Sequence, residues 1–102
     1  MEKELTLDDE FMAILGTENV YFQPPESLRL QYPCIVYFKD GFQTQQADNK
    51  NYVVAQKYDV TVIYDDPDED ISKRLLEHFQ KISFKTSYRA DNLYHDKLTL
   101  YF

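Results

Sequence analysis

Two Ala-Asp-Asn triplets, at 47–49 and 90–92, are the nearest thing in this sequence to a repeated chemical signature. Asp48 and Asp91 would form an acid/base couple if the fold brought them together, because two carboxylates in different environments divide the proton-donor and proton-acceptor roles. The plainer reading is that both triplets are turns. Asp and Asn side chains bond nearby backbone, and Asn tolerates positive φ. The turn reading is preferred.

Other reactive groups are few. His78 and His95 offer a metal no H-x-x-x-H or C-x-x-C spacing, so structural roles are expected: a helix end for His78, and a hydrogen bond beside the Asn92 turn for His95. Cys34 stands between Pro33 and the apolar Ile35-Val36, a setting that keeps a thiol protonated and inert. The acidic run from Asp65 to Asp70, broken by Pro67, lacks the glycine and spaced ligands of a calcium loop and suits helix capping. With Gly16 and Gly41 the only glycines, no phosphate-cradling loop is available. The expectation is therefore no catalytic residue, no metal site and no cofactor.

The 102 residues, 43% of them apolar, suit one folded domain. Nine Tyr and seven Phe are side chains that bury well and also serve interfaces. The formal charge of −7 argues against a nucleic-acid binder, which needs a basic patch, and suits a surface that faces DNA without holding it. A single cysteine fits a reducing compartment. Neither a signal peptide at Met1-Glu2-Lys3-Glu4 nor a membrane span is expected.

The elements that would position these residues follow from periodicity. Leu7, Phe11, Ile14 and Leu15 predict a helix from Thr6, as N-cap, to Gly16, as stop. Residues 19–22 predict a short strand, which Pro24-Pro25 confine to a sheet edge or outside it. Strands are predicted at 34–38, ending in an Asp40-Gly41 turn, and at 52–64, with Tyr58, Val60, Val62 and Tyr64 on one face. Asp66 as cap and Pro67 at the first turn predict a second helix to about residue 80, its apolar stripe being Ile71, Leu75, Leu76 and Phe79. Lys73, Arg74 and Glu77 then face water. Strands at 82–88 and 98–102 complete an α+β fold: a mainly antiparallel sheet of about four strands, two helices on one face, and an extended hairpin arm. The second helix leaves room for a crossover that makes one parallel pair. The opposite face is expected to stay partly aromatic, with Tyr52, Tyr58, Tyr64, Tyr101 or Phe102 on it. Segment 42–51 is expected to be a long, mobile, polar tip.

Read in order, Tyr32-Pro33-Cys34-Ile35-Val36-Tyr37, Ala47-Asp48-Asn49, the alternating strand Tyr58 to Tyr64, Asp66-Pro67-Asp68 and Tyr88-Arg89-Ala90-Asp91-Asn92-Leu93-Tyr94-His95 resemble the small tail terminator (tail completion, head–tail joining) proteins of long-tailed bacteriophages. The residues before Tyr32 match that family in layout only. The resemblance implies a non-enzymatic virion protein of the tail and neck, assembled in the host cytoplasm. Its subunits form a homo-hexameric ring that caps the tail tube protein and docks to the head-completion, or stopper, protein, while DNA passes through the lumen. On that reading Phe42, Gln43, Gln45, Gln46, Asp48, Asn49 and Asn51 contact the neighbour or partner. Two other roles stay open: a head-side stopper or connector component, and a small acidic phage regulatory protein that binds a host protein.

Overall fold

In a computed structural model that describes residues 3–102, and side chains from Leu7 onward, two helices and five strands follow one another along the chain. They are α1 (Lys3–Leu15), β1 (Val20–Phe22), β2 (Cys34–Ala47), β3 (Lys50–Tyr64), α2 (Ile71–His78), β4 (Ile82–Ala90) and β5 (Leu93–Tyr101). The strands form one sheet in the order β1-β2-β3-β5-β4. All pairs are antiparallel except β1 with β2. The sheet therefore has five strands where about four were expected, because β1 joins it. The proline-containing link brings β1 back beside β2 at an edge, where a missing N–H costs nothing.

Alternation along β3 decides which face is buried. Tyr58, Val60 and Val62 lie beneath Leu7, Phe11 and Leu15 of α1 and Ile71 and Leu75 of α2, with Ile35, Tyr37, Leu98 and Leu100 beside them. Both helices thus cover one face, and Tyr58, expected on the open face, is in the core. Tyr64 and Phe102 also pack against this core. Burying alternate β-branched and aromatic residues beneath two amphipathic helices is the main stabilising term, roughly 1.5–3 kcal/mol per large side chain.

Helix boundaries differ from the expected ones for identifiable reasons. α1 begins three residues before Thr6, since Lys, Glu and Leu are strong helix formers and nothing in that stretch breaks a helix. It stops at Gly16, whose φ of 86° and bond from its N–H to the Met12 carbonyl (2.8 Å) make an αL cap. α2 begins at Ile71, not Asp66. Asp66 instead caps a separate turn, its carboxylate accepting from the Asp68 N–H at 2.9 Å and its carbonyl from the Glu69 N–H at 3.0 Å. A carboxylate that closes its own turn competes with helix initiation. Within α2, Ile71, Leu75 and Phe79 point to the core, whereas Leu76, one position on, is exposed. Arg74 does not simply face water: its guanidinium donates to the Ile14 carbonyl and to Asp70 (3.0 Å), tying α2 to α1.

The crossover from β3 through α2 reaches β4, a strand parallel to β3 but not beside it, because β5 inserts between them. β5 is longer than the segment 98–102 suggested, starting at Leu93 directly after a two-residue turn. Leu98 and Leu100 are fully buried on it. Deleting residues 98–102 removes both leucines and the partners of Ile82, Ser83 and Phe84 on β4 from a domain of about 5–15 kcal/mol total stability. The truncated chain is expected to lose its cooperative melt in circular dichroism; an unchanged melting temperature contradicts this assignment.

Candidate functional site

The β2–β3 hairpin extends well past the body of the molecule. β5 pairs with β3 only as far as Lys57, opposite Tyr101, and β1 pairs with β2 only from Ile35 to Tyr37. Beyond those points the ladder runs from Phe42↔Gln56 to Ala47↔Lys50 as a two-stranded ribbon. From Gln56 to the tip it reaches about 23 Å at about 3.3 Å per residue, and the protein measures 50 × 24 × 24 Å as a result.

The expectation of an arm is met, but not that of a loop. Residues 42–47 are strand, and so are 50 and 51. Gln and Thr are acceptable strand residues when neither face is buried, and Tyr52 and Val53 give them aromatic and β-branched cross-strand partners: Gln45↔Tyr52 and Thr44↔Val53. Nor is Asp40-Gly41 a turn. It is a bulge between Lys39 and Phe42 that the ribbon passes through, with Gly41 at φ 113°, a conformation open only to glycine at low cost.

Both Ala-Asp-Asn triplets are two-residue hairpin tips. Asp48 and Asn49 have φ of 53° and 63°, Asp91 and Asn92 54° and 63°, the double positive φ whose twist matches flanking strands. One tip closes β2–β3 and the other β4–β5, at opposite ends of the sheet. Asp48 and Asp91 are therefore not an acid/base couple.

The arm carries exposed apolar side chains. Phe42 is 61% exposed and Val53 62%, with Tyr52 and Val54 close behind. Of the predicted contact residues, Phe42, Gln45, Gln46, Asp48, Asn49 and Asn51 are exposed, while Gln43 is half-buried and accepts from Lys81 Nζ at 3.4 Å. Sequence reasoning missed the β3 side of the arm, Tyr52 to Val54, because those residues read as the start of a core strand. Beside the base of the arm, a shallow cleft of about 270 Å³ is lined by His78, Phe79, Gln80, Lys81, Tyr101 and Phe102.

The histidines occupy separate places. His78 Nε2 meets Glu10 Oε1 at 2.8 Å across the two helices, and His95 Nδ1 meets the Leu93 carbonyl at 3.2 Å while its ring stacks on Tyr88. Among the described residues, no group of three His, Cys, Asp or Glu side chains is placed to hold a metal ion.

The one buried charged residue among those described is Asp96, which sequence reasoning did not single out. It accepts from Ser72 Oγ (2.7 Å) on α2, Ser87 Oγ (2.8 Å) on β4 and Tyr64 Oη (3.0 Å) on β3. These hydroxyls satisfy a carboxylate that would otherwise be costly to bury. Burial and this bond push the Tyr64 phenol up to about 12. The arrangement joins three elements to β5. Asp96→Ala leaves three hydroxyls short of an acceptor and is expected to cost about 2 kcal/mol or more, with Asp96→Asn costing less, both measured by urea denaturation. Equal stability of all three proteins would remove the hub from the account.

Cys34 is fully buried beneath the open face, with Val36 and Ile63, and Tyr21, Leu30 and Leu93 pack around them. Burial pushes its thiol from 9.0 to about 12, only partly offset by a backbone hydrogen bond from Ile63. Because the folded value lies above the unfolded one, this contribution to stability is fully present below pH 9.0 and is lost as pH rises towards about 12. Native protein at neutral pH is expected to react with a thiol reagent orders of magnitude more slowly than denatured protein; equal rates would contradict the burial.

Compared with known protein families, curated proteins and solved structures, the chain matches none.

Proposed function

We propose that this chain is a structural virion protein that caps a bacteriophage tail tube as a ring and joins the tail to the head-completion complex. The observation that carries the reading is the arm. A two-stranded ribbon isolated in water is marginally stable, and a long exposed strand edge bearing apolar side chains invites pairing. A ribbon that keeps Phe42, Tyr52 and Val53 in solvent is accounted for when a neighbouring subunit or the tube covers it.

Further support comes from the ordered residue signature between Tyr32 and His95, from the rigid body that holds the arm, and from the charge. A net charge of −7 suits a lumen through which DNA slides without binding. The mechanism is geometric. Identical subunits close a ring by head-to-tail contacts, one ring face fits the last ring of tube protein, and the other fits the connector. No reaction is required of any side chain, and the place of action is the tail and neck of the virion. Among the described residues, no helix is long and apolar enough to cross a membrane.

The test shortens the arm. Replacing residues 43–55 by Asn-Gly closes the hairpin directly on the Phe42↔Gln56 pair with a turn of matching twist. The variant is expected to melt within a few degrees of the parent, because the arm buries little. It is expected to fail to bind purified tail tubes and to leave tails unattached or of uncontrolled length. Full complementation of a deletion phage by the shortened variant would overturn the arm's role, and binding of the parent protein to capsids but not to tubes would assign it to the head side.

A further inference from the structure

Among the described residues, three long strand edges lack a partner: that of β4 and both sides of the arm. β4 is the last strand of the sheet, and from Ile82 to Ala90 its outer edge has no partner. Phe84 and Tyr88 are each about half exposed on it. The arm presents two more free edges: that of β2 from Asp40 to Ala47, and that of β3 from Lys50 to Val54.

Charge separates the possible pairings. β4 is flanked and crossed by cations, Lys81, Lys85 and Arg89, in a protein with only 11 basic residues. The β2 edge of the arm carries no charge between Asp40 at its base and Asp48 at its tip. Asp40 and Asp48 are eight residues apart, and so are Lys81 and Arg89. The β3 edge, by contrast, is bounded by Lys50 and Lys57. Two β4 edges side by side would oppose cations to cations, and two β2 arm edges acids to acids, which disfavours both self-pairings. The β3 edge against β4 would again set Lys50 and Lys57 facing cations.

We propose that the arm edge of one subunit, from Asp40 to Ala47 with Asp48 just past its end, adds as a strand to the β4 edge of a second copy of this chain, from Ile82 to Arg89 with Lys81 just before it. Antiparallel addition sets Asp40 opposite Arg89 and Asp48 opposite Lys81, and places Thr44 opposite Lys85. The present partners of these charges are weak: Asp40 meets Lys57 at 3.7 Å with Asp40 exposed and Lys57 half-buried, Lys81 meets Gln43 at 3.4 Å, and Arg89 lies over the Tyr94 ring at 4.9 Å. All can be exchanged at little cost. The contact uses different surfaces on the two copies, so it is head-to-tail and propagates until a ring closes. It takes from the ring reading above only that the arm's neighbour is a second copy.

The experiment mixes two variants, each with one introduced cysteine, Thr44→Cys and Lys85→Cys, under mild oxidation at high protein concentration, with native Cys34 buried in both. A covalent dimer containing one copy of each is expected from the mixture, in clear excess over a Val53→Cys with Lys85→Cys control. Adding D40N and D48N to the Thr44→Cys partner is expected to reduce the yield several-fold, and more so at low salt. A yield no higher than the control, or one indifferent to the two acid substitutions, overturns the proposal. The phage role is judged separately by tube binding: cross-linking without tube binding leaves strand addition standing and removes the capping role, and tube binding without cross-linking does the reverse.

Discussion

The Tyr37 side chain touches three other elements at once. Its ring lies 5.1 Å from Phe11 of α1, 4.9 Å from Phe22 of β1 and 5.6 Å from Tyr58 of β3, and its hydroxyl donates to Asp8. Aromatic pairs in edge-on or tilted geometry add about 0.5–1.5 kcal/mol each beyond area burial. In a domain this small, that cluster decides where α1 sits, holds the short parallel strand β1 at the edge, and commits one sheet face to the core. Phe79 continues it, edge-on to Phe11 at 5.6 Å and to Phe102 at 6.0 Å. The two helices, the sheet and β5 meet in one aromatic layer.

Commitment of that face has a consequence for the other. Two helices of 13 and 8 residues cover the body and leave the arm uncovered, so the ribbon continues past the last residue that any helix can shield. The arm is held in place by its ladder and by the rigidity of the body beneath it. The second sheet face keeps a small apolar cluster around Cys34, exposed Phe38 and Tyr88, and polar groups such as Lys97 bridging Asp59 and Thr61 at 3.1 Å each. Such a division leaves one end packed under helices and the other exposing apolar side chains, the feature on which the assembly role proposed above rests.

Charge acts on the same scale. Acidic residues gather on α1 and in the 65–70 segment, while β4 bears cations beside an open ladder. Charges placed in this way disfavour pairing between like edges, since like-charged edges repel.

The sequence by itself determined the class of the fold, the approximate place of both helices, the alternation on β3, the burial of Cys34 and the turn character of both Ala-Asp-Asn triplets. Each of these rests on local physics: side-chain period, glycine and Asx turn chemistry, or the cost of exposing an apolar run. Four features were decided only by tertiary structure. The parallel β1–β2 pair depends on how a proline-rich link routes through space. The insertion of β5 between β3 and β4 depends on which edge is free when the last strand arrives. Asp96 reads as an ordinary strand Asp until Ser72, Ser87 and Tyr64 converge on it from three elements. The arm read as a loop because its residues are polar, yet two strands held in register by a well-formed two-residue turn need no apolar face to remain paired once a rigid sheet anchors their base.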